Sequence, residues 1–253
     1  MNFIQVRGFV LNSFSYSESD KIVQLYTLQL GRVKAIAKGV RKPKSKLSSA
    51  IELFTESGFA LHKKPSADLY LLSQAKILNG YSGLKKDFKT ISALQVLADL
   101  LIQSLHDTEP HPEIYSLLRE TLSALGEKPG NGELFLPAFA LKFLDLLGHP
   151  IELEACAECG SSLQRKKAFL IPHRGGALCE SCCPSGPSRL RVTPAGLEVL
   201  KKLRSLPMEK IHILKLRSGF VREIFLTALE YAERTIERKL KTVDYYLKVL
   251  PEE

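Results

Sequence analysis

The chain has no uninterrupted apolar run approaching the roughly 18 residues that a membrane-spanning helix requires, so a soluble protein is expected. Residues 1–30 also lack a basic n-region, an apolar h-region and a small-residue cleavage site. A cytosolic chain is therefore expected, and disulfides among its cysteines are disfavoured. Absent too are the Gly-x-Gly-x-x-Gly, P-loop, His-Glu-x-x-His and Gly-x-Ser-x-Gly patterns, while the six histidines are scattered. Neither a phosphate-cradling glycine loop nor a hydrolytic constellation can be assembled, which sets aside the enzyme classes built on them. No internal repeat or low-complexity segment occurs, and no acidic residue falls between Asp20 and Glu52.

Cysteine is scarce, but its spacing is informative. Cys156-Ala157-Glu158-Cys159 and Cys179-Glu180-Ser181-Cys182 form two C-x-x-C pairs separated by nineteen residues, within the range that reads as a tetrahedral zinc site. Two intervening residues let both thiolates of a pair curl round one ion, and Gly160, Gly175 and Gly176 permit the turns required. Four thiolates leave no open position for water, so the expected role is structural, with metal binding replacing a core that so short a segment cannot build. A thioredoxin-like redox pair needs a single C-x-x-C beside a βαβ pattern and fits poorly. Cys183 is a possible substitute for Cys182, and His173 a weaker one.

At 253 residues and 45% hydrophobic content the chain is long enough for two or three domains with a real core. Its net charge of +9 is unevenly spread: +7 over residues 1–80, −3 over 81–150, +1 over 151–190 and +4 over 191–253. This asymmetry points to a polyanionic partner held by the N-terminal module with help from the C-terminal one.

The first eighty residues read as β. Runs at 3–11, 21–27, 31–37, 51–63 and 70–78 are rich in Val, Ile and aromatic residues and are separated by turn formers. Five short strands without a crossover helix must close on themselves, which predicts a small OB-type barrel, with Gly8 and Gly58 as candidate bends. Between the third and fourth strands, Lys38, Arg41, Lys42, Lys44 and Lys46 place five cations in nine residues, and Gly39 and Pro43 keep the segment non-helical. Such dense like charge is relieved by a phosphate backbone that exchanges its counterions for Lys and Arg. Arg32 and Lys34 extend this basic surface onto the neighbouring strand. The alternative is a solvated charge run. Phe14, Tyr16, Tyr26, Phe54, Phe59 and Tyr70 are the candidates for base stacking, of which about four are expected to fill the barrel instead.

Helical periodicity then takes over, at 87–106, 112–125 and 133–147, the last apolar on nearly every side and so the expected centre of a bundle. Pro112 suits a first turn, and 128–132 is an evident connection. Beyond the cysteines, Thr193 and Pro194 open another helix as N-cap and first residue, and further helical pattern runs from 214 to 238. The fold expected is thus α+β and multidomain. A five-stranded OB-type barrel (1–80) precedes an α-helical domain (81–253) that is interrupted by a four-cysteine zinc module at about 151–190.

The loop KGVRKPKSKL (38–47), the segments LLGHPIELEACAECG (146–160) and GGALCESCC (175–183), and the ending KTVDYYL (241–247) together resemble the bacterial RecO family of recombination mediators, over essentially the whole chain. The resemblance implies an OB domain, a helical domain and, as in many members, a four-cysteine zinc module. It implies a non-enzymatic protein that binds single- and double-stranded DNA and anneals complementary strands. With RecR, it would load RecA onto DNA coated by single-strand-binding protein, whose acidic C-terminal tail is a further family partner. It also implies a cytoplasmic, nucleoid-associated bacterial protein. From the residues alone, an RNA-binding or ribosome-associated OB and zinc protein stays open, since phosphate contacts do not separate DNA from RNA. A metal-dependent nuclease or deaminase would need an open metal position or a carboxylate base near the metal, which four thiolates do not leave.

Overall fold

Alternation of inward apolar and outward polar side chains builds five strands: β1 (Phe3–Ser15), β2 (Lys21–Thr27), β3 (Gly31–Ala37), β4 (Glu56–His62) and β5 (Tyr70–Asn79). The computed structural model describes residues 3–63, 67–127, 132–186 and 189–249. The strands close into a barrel in the order β1-β2-β3-β5-β4, with β1 also pairing β4. All pairs are antiparallel except β3 with β5. Val6, Val10, Val23, Leu25, Val33, Ala35, Phe59, Leu61 and Leu72 fill the interior.

β1 serves two partners, its first half pairing β4 and its second half β2, and the overlap falls at Gly8 and Phe9. A Cβ at Gly8 would stand 2.9 Å from the Tyr26 carbonyl oxygen, so this crowded point of the strand accepts only glycine without displacement. A register shift between Val10 and Asn12 then re-aims the rest of β1. Two boundaries differ from the sequence expectation. β1 continues past Leu11 to Ser15, because its polar end still finds backbone partners along Lys21–Gln24. β4 begins at Glu56 rather than at 51, because Ser49–Ile51 forms a 3-10 turn and Phe54 takes a left-handed backbone (φ +51°). That detour buries Ile51 and Phe54 instead of pairing them. The break expected at Lys64–Asp68 and the connection at 128–132 fall largely outside the described residues.

The chain divides into two compact units, Met1–Ser116 and Leu117–Glu253. The last barrel strand ends at Asn79, and the compact unit also takes in helix α1 (Phe88–Ser104), which packs on β1. Asp87 caps α1 by accepting from the N–H groups of Lys89 (2.9 Å) and Thr90 (3.2 Å). Helix α2 (Pro112–Glu127) spans the division. Within the first unit, its early residue Tyr115 donates to the carboxylate of Glu56 (2.9 Å), which also accepts from Arg7 Nε (2.7 Å).

In the second unit, α3 (Gly132–Leu146) is the buried centre: Phe135, Phe139, Leu141, Phe143 and Leu144 are all inaccessible. It packs against α4 (Pro194–Ser205) and α5 (Ser218–Thr235). Before α4, the chain inserts a three-stranded antiparallel sheet, β6 (Ala168–Ile171), β7 (Gly176–Leu178) and β8 (Leu190–Val192), in the order β7-β6-β8. Thr193 caps α4 through Gly196 N–H (3.0 Å), with Pro194 in its first turn. The pattern at 214–238 yields α5 only from Ser218, and α6 (Lys241–Val249) follows. Arg204 joins α3, α4 and the start of the insertion by donating to Asp145 (2.8 Å) and to the Ile151 carbonyl (2.7 Å). Among the described residues no helix is long and apolar enough to cross a membrane.

Candidate nucleic-acid interface and metal centre

The two cysteine pairs converge because the insertion folds as two turns stapled side by side. Gly160, with φ +69°, closes the first turn by donating to the Cys156 carbonyl (2.8 Å), while Cys156 N–H reaches Ser161 (2.8 Å). The second turn closes through Cys182 and Cys183 N–H, both directed at the Cys179 carbonyl (3.2 and 3.0 Å). Ala177 N–H to Glu152, and Ala157 N–H to Ala177, bind one segment to the other (2.8 and 2.9 Å). The approach is tight enough that a Cβ at Gly176 would lie 2.4 Å from the Glu152 carbonyl oxygen.

As a result the Sγ atoms of Cys156, Cys159, Cys179 and Cys182 lie within 4.8 Å of one another and can hold a metal ion. Cys183 is outside this cluster, with its Sγ 3.6 Å from the Pro184 carbonyl oxygen, and His173 sits in a separate 3-10 turn. The donor set is all sulfur, which suits a soft-accepting tetrahedral ion. Hydrogen bonding from Ser161 draws the Cys159 thiol down to about 6, while hydrogen bonding to Cys159 and Cys179 pushes Cys182 up to about 12. Four thiolates this close repel one another unless a positive ion stands between them.

The basic loop is anchored by one acid. Asp20 spends its carboxylate on the loop backbone, accepting from Gly39 N–H (2.8 Å), and on Ser19 Oγ (2.9 Å). Those bonds, the Gly39 one foremost, hold its pKa below the ordinary aspartate value. Arg41 continues the anchoring, through its N–H to the Ser19 carbonyl (2.9 Å) and its guanidinium to the Ser17 carbonyl (3.0 Å). Val40 turns inward and is buried. Lys38, Arg41, Lys42, Lys44 and Lys46 are all exposed, and no ion pair among the described residues engages them. Lys34 is exposed on the outer face of β3, between Arg32 and Ile36.

Arg32 departs from the expectation. Its Nε donates to Asp107 (2.7 Å) and its other nitrogen to the Ile102 carbonyl, so the guanidinium fastens the end of α1 to the barrel and is only slightly exposed. Sequence reasoning grouped it with Lys34 because the two alternate on one strand face; the capture depends on Asp107, seventy-five residues away.

Of the six aromatic candidates, Tyr26, Phe54, Phe59 and Tyr70 are buried, while Phe14 and Tyr16 are 45% and 60% exposed. Both exposed rings stand at the β1–β2 turn, the turn whose Ser17, Ser19 and Asp20 hold the basic loop. Phe14 faces Ile22 in register, and Ile22 faces Ile36, which gives a short apolar row on the outer barrel face. Two exposed rings beside exposed cations can stack bases while neutralising phosphates.

Comparison with known proteins agrees with the architecture. Residues 1–81 match the family model "Recombination protein O N terminal" and residues 85–244 match "Recombination protein O C terminal". Among similar proteins, a DNA repair protein RecO of Desulforamulus reducens is 29% identical over 97% of this chain and 94% of its own length. The corresponding protein of Symbiobacterium thermophilum is 30% identical over 97% of each chain. That of Pelotomaculum thermopropionicum is 31% identical over 96% of this chain and 93% of its own.

Proposed function

The chain belongs to the RecO family of DNA repair proteins, and on that premise we propose that it binds single- and double-stranded DNA and anneals complementary strands. In this reading Lys34, Lys38, Arg41, Lys42, Lys44 and Lys46 hold the phosphate backbone while Phe14 and Tyr16 stack on unpaired bases. The observation that carries it is the loop itself: five exposed cations on a backbone pinned by Asp20, none of them in an ion pair among the described residues. Backbone neutralisation lowers the mutual repulsion of two strands and lets their bases meet. Because these contacts carry no sequence information, binding is general.

Residues 1–80 act as the strand-binding module and residues 81–253 as a helical platform with the cysteine module at about 151–190. Cys156, Cys159, Cys179 and Cys182 hold a structural zinc, which when bound supplies the cross-link that four mutually repelling thiolates require. The protein performs no bond-breaking chemistry of its own. It works in the bacterial cytoplasm at the nucleoid. Its partners are RecR, with which it loads RecA, and single-strand-binding protein, whose acidic C-terminal tail it meets on the helical module. Annealing of labelled complementary strands, bare and then coated with single-strand-binding protein, tests this reading: acceleration on both templates is expected, and no acceleration on either would sink it.

A further inference from the structure

Residues 151–190 carry a net charge of only +1, yet the fold separates their charges. Glu154 is taken by Lys201 (2.9 Å), Glu158 by Arg174 (3.1 Å), and Glu152 accepts from the N–H groups of Glu154 (2.7 Å) and Ala155 (3.0 Å). On the sheet the cations collect. Phe169 of β6 lies directly opposite Arg191 of β8, which puts both side chains on one face. Arg189, just before β8, turns to that face, and Lys167 directly precedes β6. The Arg189 guanidinium carbon stands 5.4 Å from the centre of the Phe169 ring, and Lys167, Arg189 and Arg191 are exposed. No ion pair among the described residues engages them.

We propose that this outer face of the β6–β8 pair is a second nucleic-acid contact, on which Lys167, Arg189 and Arg191 hold the phosphates of a strand. The inference rests on the DNA-binding reading above and deepens it. Arg189 and Arg191 are set apart by about 6.8 Å, two residues of extended chain, a spacing that suits successive phosphates along an extended strand. Phe169 is only 9% exposed and lies under Arg189, so the face has no apolar pocket in which an acidic peptide would seat an anchoring side chain. The Phe169 ring is covered by Arg189 and does not stack a base, which makes the contact one of phosphates. With the basic loop as the other contact, one chain holds two strands at once, as annealing requires.

The test uses the full-length, zinc-loaded protein and two non-complementary oligonucleotides, one carrying a donor dye and one an acceptor. The parent is expected to bring the dyes together. The variant Lys167→Gln/Arg189→Gln/Arg191→Gln should keep its zinc and its binding of one strand but lose the bridging. In the parent this face should contribute about 2 to the log–log salt slope of bridging, at about 0.7 for each of three phosphates neutralised. Arg189→Lys/Arg191→Lys should bridge like the parent. Should the triple variant lose zinc, the double variant Lys167→Gln/Arg191→Gln, which leaves Arg189 on Phe169, must still lower the slope by about 1. Bridging that survives these glutamine variants overturns the proposal and leaves the function above standing. So does an Asp-rich peptide that occupies this face while the strands go on bridging. A parent that binds neither strand overturns both.

Discussion

Replacing Lys42, Lys44 and Lys46 together by alanine removes three of the five loop cations and leaves its anchors in place. Gly39 still donates to Asp20, and Arg41 still reaches Ser17 and Ser19. If all five cations touch phosphate, the loop contributes about 3.5 to the slope with which log affinity for a single strand falls with log salt, from about 0.7 per phosphate neutralised. Between 50 and 200 mM salt that contribution amounts to a loss of about 100-fold. The variant keeps two loop cations on phosphate and a loop contribution of about 1.4, a loss of only about 7-fold over the same range. The loss should be similar for every base sequence, because phosphate contacts do not read bases. Annealing should slow in parallel, and thermal stability should hold or rise, since the removed charges repel one another and none of the three is ion-paired among the described residues. Fluorescence anisotropy at a series of salt concentrations measures the slope. A variant with the parent's slope and annealing rate would show that the loop is merely solvated and that the reasoning from free cations to phosphate is wrong.

Elemental analysis of protein purified under reducing conditions should find one zinc per chain, lost in Cys159→Ser while single-strand binding by the barrel persists; substoichiometric zinc in the parent refutes the assignment. Phe14→Ala and Tyr16→Ala should each weaken single-strand binding by about 1–3 kcal/mol with the salt slope unchanged, since they remove stacking and no charge; unaltered affinity would place the bases elsewhere. Tyr115→Phe withdraws one of two hydrogen bonds from the Glu56 carboxylate, whose side chain is 3% exposed. It should lower stability by about 1.5–3 kcal/mol, read as a shift in urea midpoint with unchanged cooperativity. Asp20 has a folded pKa depressed below 3.8, so its contribution is complete above the unfolded value and disappears as pH falls through the folded one. Protection of the Gly39 and Arg41 amides, taken relative to their intrinsic exchange rates, should therefore fall on acidification below about pH 4. In Asp20→Ala, which removes the acceptor, protection should be lost already at neutral pH, and unchanged protection there would refute the anchoring role.

Much of this protein is local in origin. Strand alternation in 21–27 and 31–37, the Thr193–Pro194 helix start, the all-round apolar run that became α3, and the spacing of the two C-x-x-C pairs each depend on neighbours a few residues away. Periodicity and turn chemistry act at that range, which is why these elements and the cluster of four thiols were legible in the sequence. The same holds for the closed barrel, since five short strands with no crossover helix have few other ways to protect their edges.

What the tertiary structure alone decided concerns the fate of side chains whose partners are remote. Arg32 and Lys34 are equivalent in sequence, two steps along one strand, yet Asp107 and the Ile102 carbonyl capture the first and leave the second to solvent. Among six similar aromatics, only position around the closed barrel sorts Phe14 and Tyr16 outward from the four that are buried. A nearly neutral insertion gains a cationic edge once Lys201 pairs with Glu154, Arg174 with Glu158, and the β6–β8 register sets Arg191 across from Phe169. Composition and order along the chain determine which charges and rings are available. Burial and pairing, which depend on the whole fold, determine which of them remain free to meet a ligand.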